Sequence, residues 1–202
     1  MESGESKNVY KVYDQIADWF AANRPNGLME QTYLDLMLSH LSIEASILDL
    51  GCGTGMPILN YLLSKKVNVT GVDASKAMLD IAKVNFPDQE FILQDMRQLK
   101  LDKKFDGIIA WHSFFHLSAA DQPAMFRLFA ANLKPNGILL FTSGTKFGES
   151  WGMNGGENLF HASLDTSTYK QLLEENGFEV MSHTVDDVNC GGATVWMAKL
   201  VH

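Results

Sequence analysis

An open, mostly parallel α/β sheet of seven strands, its last strand antiparallel and helices on both faces, is the fold class the sequence predicts. Three observations predict it. From residue 46 onward, short aliphatic and β-branched runs alternate with longer amphipathic stretches; a glycine-rich turn follows the first run; and the last two runs are joined by a connection short enough for a hairpin. With 202 residues, 46% hydrophobic and 20% charged, the chain can bury one substantial core but is short for two. It reads as an N-terminal helical cap, 1–45, ahead of one domain, 46–202.

Within the cap, Val9, Val12, Tyr13, Ile16, Ala17, Trp19 and Phe20 fit one apolar helix face, and 34–41 fits a second helix. These helices either cap the core or cover a ligand, and both readings stay open. The first strand is Ile47-Leu48-Asp49-Leu50. After the glycine turn, Pro57 suits a first helical turn, Ile58, Leu59, Leu62 and Leu63 recur at helical spacing, and Lys65 and Lys66 suit the end. A second strand spans 67–72; the helix after it offers Met78, Leu79, Ala82 and Val84 as buried positions and stops at Pro87.

Residues 91–93 and 105–111 form the third and fourth strands. Ser118 with Asp121 resembles a helix cap, followed by the apolar stripe Met125, Phe126, Leu128, Phe129 and Leu133. Lys134-Pro135-Asn136-Gly137 is a turn signal before a fifth strand, 138–141. The glycine-rich stretch 144–156 reads as a mobile loop. Residues 167–176 are helical with Gly177 as a left-handed cap, and 178–185 and 193–201 are the closing strands.

A net charge of −8 and the absence of any basic run longer than two residues disfavour a nucleic-acid partner, so a small molecule leads. No apolar run approaches a membrane span and the polar N-terminus has no secretory core, which predicts a cytoplasmic protein with Cys52 and Cys190 reduced. No set of residues has metal-ligand spacing, and no metal is expected. The sequence does not specify an oligomeric state.

In an open α/β sheet, ligands collect beyond the carboxyl ends of the strands, where connections diverge. Asp49-Leu50-Gly51-Cys52-Gly53-Thr54-Gly55 lies at such an end, and its glycines admit a ligand close to the main chain. The Gly-x-Gly-x-Gly spacing departs from the dinucleotide fingerprint, whose third glycine would fall at Met56, and this argues against NAD. Asp73 follows the second strand, where an acid can accept from both hydroxyls of a ribose; it can also cap the next helix.

Together with Gly71-Val72-Asp73-Ala74-Ser75, Gln94-Asp95-Met96 and Leu133-Lys134-Pro135-Asn136-Gly137-Ile138-Leu139, the glycine segment resembles the class I S-adenosylmethionine-dependent methyltransferases over about 47–141. The resemblance implies a Rossmann-like sheet and S-adenosylmethionine as cofactor, leaving as S-adenosylhomocysteine. It also implies that the main chain at Gly51, Cys52 and Gly53 meets the methionyl part, with Asp49 toward its ammonium. Asp73 would hold the ribose, Asp95 would accept from the adenine amino group, the Met96 N–H would meet a ring nitrogen, and Ala74 and Met78 would line the adenine. Trp111 matches a position whose backbone contacts the methionyl group. Arg24, after the first helix, can pair with the cofactor carboxylate or remain solvated.

The reaction so implied is in-line methyl transfer to a small-molecule acceptor, in which a base is optional. His112 and His116 follow the fourth strand, where the methyl would point; His116 is the preferred base candidate and His161, after the glycine-rich stretch, the second. Trp151, Met153, Phe160 and Tyr169 are candidates for an acceptor pocket near His161. The alternative is a catalytically inactive cofactor-binding protein with a regulatory or scaffolding role.

Overall fold

Apolar runs and helical stripes alternate along most of the chain, and a computed structural model describing residues 8–24 and 27–201 shows what they build. Two helices, α1 (Tyr10–Asn23) and α2 (Gln31–Ser39), lead into β1 (Ser46–Leu50), α3 (Ile58–Ser64), β2 (Asn68–Asp73), α4 (Lys76–Asn85) and β3 (Glu90–Leu93). Then come β4 (Phe105–Ala110), α5 (Gln122–Asn132), β5 (Leu133–Ser143), β6 (Gly148–Asn154) and β7 (Glu157–Ser163). The chain closes with α6 (Thr166–Glu175), β8 (Phe178–Asp187) and β9 (Ala193–Leu200).

Seven strands form one sheet in the order β3-β2-β1-β4-β5-β9-β8. All pairs from β3 to β5 are parallel, and β9 runs antiparallel to both neighbours, as the short β8–β9 connection requires. The order reverses between β1 and β4, which opens a crevice above their carboxyl ends.

The sheet buries both faces, as its near-continuous apolar strands demand. One face packs Leu48, Ile108, Leu139 and Phe141 against Met125, Phe126 and Phe129 of α5 and Tyr169 and Leu173 of α6. The other packs Ile47, Ile109 and Leu140 against Leu34 and Met37 of α2 and Ile58, Leu59 and Leu62 of α3. α2 approaches so closely that a Cβ added at Gly107 would lie 2.1 Å from Met37 Cε.

Four expectations need correction. The stretch 144–156 is not a loop, because β6 pairs antiparallel with β7 as a separate two-stranded sheet, with Trp151 opposite Phe160 and the turn at Gly155-Gly156. Both turn glycines have positive φ, 58° and 86°, the geometry of a tight hairpin. The segment 134–137 lies inside β5 as an irregularity between the pairs Phe105–Leu133 and Gly107–Ile138, with Asn136 at φ 67°. Val84 is 81% exposed, because it falls off the Met78–Leu79–Ala82 stripe that α4 buries. Tyr169 is core rather than pocket, its hydroxyl donating to Gln122 Oε1 at 2.7 Å.

Among the described residues, no helix is long and apolar enough to cross a membrane.

Candidate active site

The turn after β1 needs a left-handed residue at Gly51 (φ 76°), where a Cβ would stand 2.2 Å from Ser113 Cβ. Gly51 N and Cys52 N donate to Val72 O at 2.7 and 3.1 Å, tying the turn to the end of β2. Ser113 Oγ donates to Leu50 O at 2.6 Å from the segment after β4. Three strand ends are thereby locked around one crevice.

Asp73 closes the opposite side. Its Oδ2 accepts from Gly53 N and its Oδ1 from Ser75 N, both at 2.8 Å. Burial raises its pKa and these backbone donors oppose the rise. The carboxylate therefore braces the glycine turn and the start of α4 while lining the cleft. Ser75 caps α4, its Oγ accepting from Met78 N at 3.2 Å.

The cleft encloses about 1000 Å³ including its open mouth, in the size range of small-ligand sites. Of the residues singled out in the sequence, Arg24, Asp49, Gly51, Cys52, Gly53, Asp73, Ala74, Met78, Asp95, Met96, Trp111 and His116 line it. His161 does not; its ring packs against His116 and Phe115, with centroids 4.7 and 5.2 Å apart. Met153 is 70% exposed on the hairpin and Phe160 is buried beneath Val9 and Tyr13.

α1 lies over this cleft, whereas α2 packs on the sheet. Val9, Tyr13, Phe20 and Arg24 recur at spacings of four, seven and four, one face of a helix, and all four line the cleft. That spacing was the available signal; which cleft the face covers depends on tertiary packing.

Electrostatics divide the cleft. At one end Asp49 is buried and its pKa is pushed up to about 7 by desolvation, with Asp73 and Glu30 adding to the rise and Arg24 opposing it. Arg24 Nη2 stands 3.5 Å from the buried Glu30 Oε1. The indole N–H of Trp111 has no hydrogen-bond partner among the described residues. At the adenine end expected from the sequence, Asp95 is gripped by Arg97, whose Nε lies 3.0 Å from both carboxylate oxygens, and this holds the Asp95 pKa down against burial.

Beyond β4, the histidines are held neutral. Burial lowers His116 to about 3 and His112 to about 4, and lowers His161 as well. His116 Nδ1 lies 2.8 Å from Phe160 O, so that nitrogen carries the hydrogen, and Nε2 accepts from the Tyr13 hydroxyl at 2.9 Å. Both ring nitrogens are thus engaged. Burial drives the Tyr13 pKa well up, which keeps its proton in place.

Residues 47–137 match the model of a methyltransferase domain family. The chain carries a class I S-adenosylmethionine-dependent methyltransferase domain. The dTDP-3-amino-3,6-dideoxy-alpha-D-glucopyranose N,N-dimethyltransferase of Streptomyces fradiae is 35% identical over 107 residues, covering 52% of this chain and 42% of that protein. A malonyl-[acyl-carrier protein] O-methyltransferase of Priestia megaterium is 30% identical over 146 residues, covering 67% and 48%. The chain spans about half the length, or less, of these curated relatives.

Among solved structures, an amino pentose methyltransferase from Micromonospora echinaspora superposes with a TM-score of 0.73 at 18% identity, over 94% of this chain and 97% of that one. The 1,6-didemethyltoxoflavin-N1-methyltransferase of Burkholderia thailandensis does so with a TM-score of 0.75 at 16% identity, over 96% and 88%. At these identities the likeness is one of fold. It covers nearly the whole chain, including the regions outside 47–137.

Proposed function

We propose that this methyltransferase domain moves a methyl group from S-adenosylmethionine to a small-molecule acceptor, an amine being the acceptor class its chemistry suits best. The observation that carries the reading is the convergence of the glycine turn, Asp49 and Asp73 on one cleft at the sheet's switch point. The donor set fits the cofactor. A buried carboxylate with a raised pKa calls for a cation, which an ammonium supplies, and Arg24 with the unpartnered Trp111 N–H suits a carboxylate. Asp73 presents acceptors for two ribose hydroxyls, and Asp95, steadied by Arg97, presents one for an adenine amino group.

Bound there, the cofactor would supply a methyl already activated on a sulfonium, open to an acceptor's lone pair with the carbon–sulfur pair returning to sulfur. The chain's own work is to orient and exclude water. α1 covers the cleft and brings the Tyr13 hydroxyl beside His116, donating its hydrogen bond to Nε2 and leaving its oxygen lone pairs available to an acceptor N–H or O–H. His116 therefore acts through Tyr13 rather than as a base touching the acceptor, and His161 backs its ring. A histidine held near 3 is a poor sink for an alcohol proton. A neutral amine attacks without prior deprotonation, so the amino-sugar N-methyltransferase is a better guide to the acceptor than the O-methyltransferase.

Calorimetric titration with S-adenosylmethionine, followed by methyl-transfer assays on amino and hydroxy compounds, tests the reading. Absent binding refutes the cofactor site. Binding without turnover on any amine or alcohol supports the inactive binder instead.

A further inference from the structure

α1 touches the rest of the chain along three lines. Its apolar residues Val9, Val12 and Tyr13 lie on Leu159, Phe160 and Ala162 of β7. The hairpin turn presses against its other end, where a Cβ on Gly155 would meet Ile16 and Trp19 at 3.0 Å. The third line is polar. Asp14 Oδ1 accepts from Ser75 Oγ at 2.7 Å and from Ala77 N at 3.0 Å, so a carboxylate of the roof satisfies donors of α4's first turn.

Ser75 is the shared member. Its N–H donates to Asp73 and its hydroxyl to Asp14, while its Oγ also accepts from Met78 N. Tyr13, the next residue along α1, reaches His116. We infer that Asp14 is a positioning residue that latches α1 over the cofactor cleft through Ser75, and so helps hold Tyr13 against His116. The inference rests on Asp73 facing the cofactor's ribose. Because α1 forms one wall over the open-mouthed cleft, lifting it widens the way out for the cofactor, and the Asp14 contacts are part of what each such opening breaks.

The test uses surface plasmon resonance of S-adenosylhomocysteine over the immobilised full chain. Loss of an exposed capping carboxylate by Asp14→Ala raises the dissociation rate about three- to tenfold. Asp14→Asn keeps an acceptor oxygen and returns the rate to within about twofold of the parent, which loss of helical packing would not do. Ser75→Ala and Asp14→Ala combine less than additively, because they share one hydrogen bond. Hydrogen exchange supplies the second readout: bound S-adenosylhomocysteine protects α1 amides in the parent and less in Asp14→Ala. An unchanged dissociation rate in Asp14→Ala, or an Asn variant as fast as the Ala one, overturns the latch. If the parent chain gives no binding signal at all, the cofactor reading has failed and the latch fails with it.

Discussion

Cofactor affinity should depend steeply on pH through one carboxyl group. Asp49 sits at about 7 because burial, Asp73 and Glu30 all favour its neutral form, and only Arg24 opposes them. An ammonium seated beside it restores an ordinary carboxylate pKa, so binding expels whatever proton Asp49 carries. The sign is that of a group ionised in the complex and protonated in the free protein: affinity falls as pH falls through 7. About half a proton is released at pH 7, and the dissociation constant rises roughly twenty-five-fold from pH 7.5 to 5.5. His112 at about 4 and His116 at about 3 stay neutral over this window and do not add to the effect. Calorimetry with S-adenosylhomocysteine in two buffers of different ionisation enthalpy measures both the constant and the proton count. Asp49→Asn should bind weakly at pH 7.5 and lose the slope. A dissociation constant flat to about twofold over that range, or a slope that survives in the Asn variant, would refute the reasoning.

Three further outcomes follow from the same geometry. Asp73→Asn weakens S-adenosylhomocysteine by about 2 kcal/mol, since a charged acceptor for hydroxyls is lost while the amide can still brace one backbone N–H; titration calorimetry reads it, and unchanged affinity removes Asp73 from the ribose. Tyr13→Phe and His116→Asn lower kcat with an amine acceptor by similar factors, roughly tenfold, and no further in combination, because they form one hydrogen-bonded unit. Additive losses in steady-state assays would separate them. Gly107→Ala destabilises the fold by about 1–3 kcal/mol in urea melts, because Met37 Cε must leave its place, and pairing it with Met37→Ala returns part of the loss.

The five parallel strands were legible because each apolar run is bounded by its own punctuation, although the 134–137 turn signal falls inside β5, and the glycine turn after β1 was legible because local sequence dictates that backbone. What escaped was of two kinds. The β6–β7 hairpin carries a readable mark, Asn154-Gly155-Gly156-Glu157 between Trp151 and Phe160, but the glycine content of 144–156 masks it. For the N-terminal helices, the sequence left capping the core and covering a ligand both open, and it did not specify the contacts. Tyr13 and Asp14 are neighbours whose partners lie 103 and 61 residues away, so their meaning depends on where the topology carries His116 and Ser75. Which nitrogen of His116 is free lay beyond the sequence for a similar reason: it is decided by Phe160 O and Tyr13, neither adjacent in sequence.

The close seating of α2 on Gly107 gives the two N-terminal helices different mechanical standing. Removing residues up to 27 would uncover the cleft yet leave the sheet its full apolar cover, whereas removing residues up to 45 would also strip Leu34 and Met37 from Ile47 and Ile109 and expose a bare stretch of main chain. A chain cut between Arg24 and Leu28 should therefore keep its main sheet covered while uncovering Phe160 and holding its ligand loosely, whereas one cut at 45 should lose the fold.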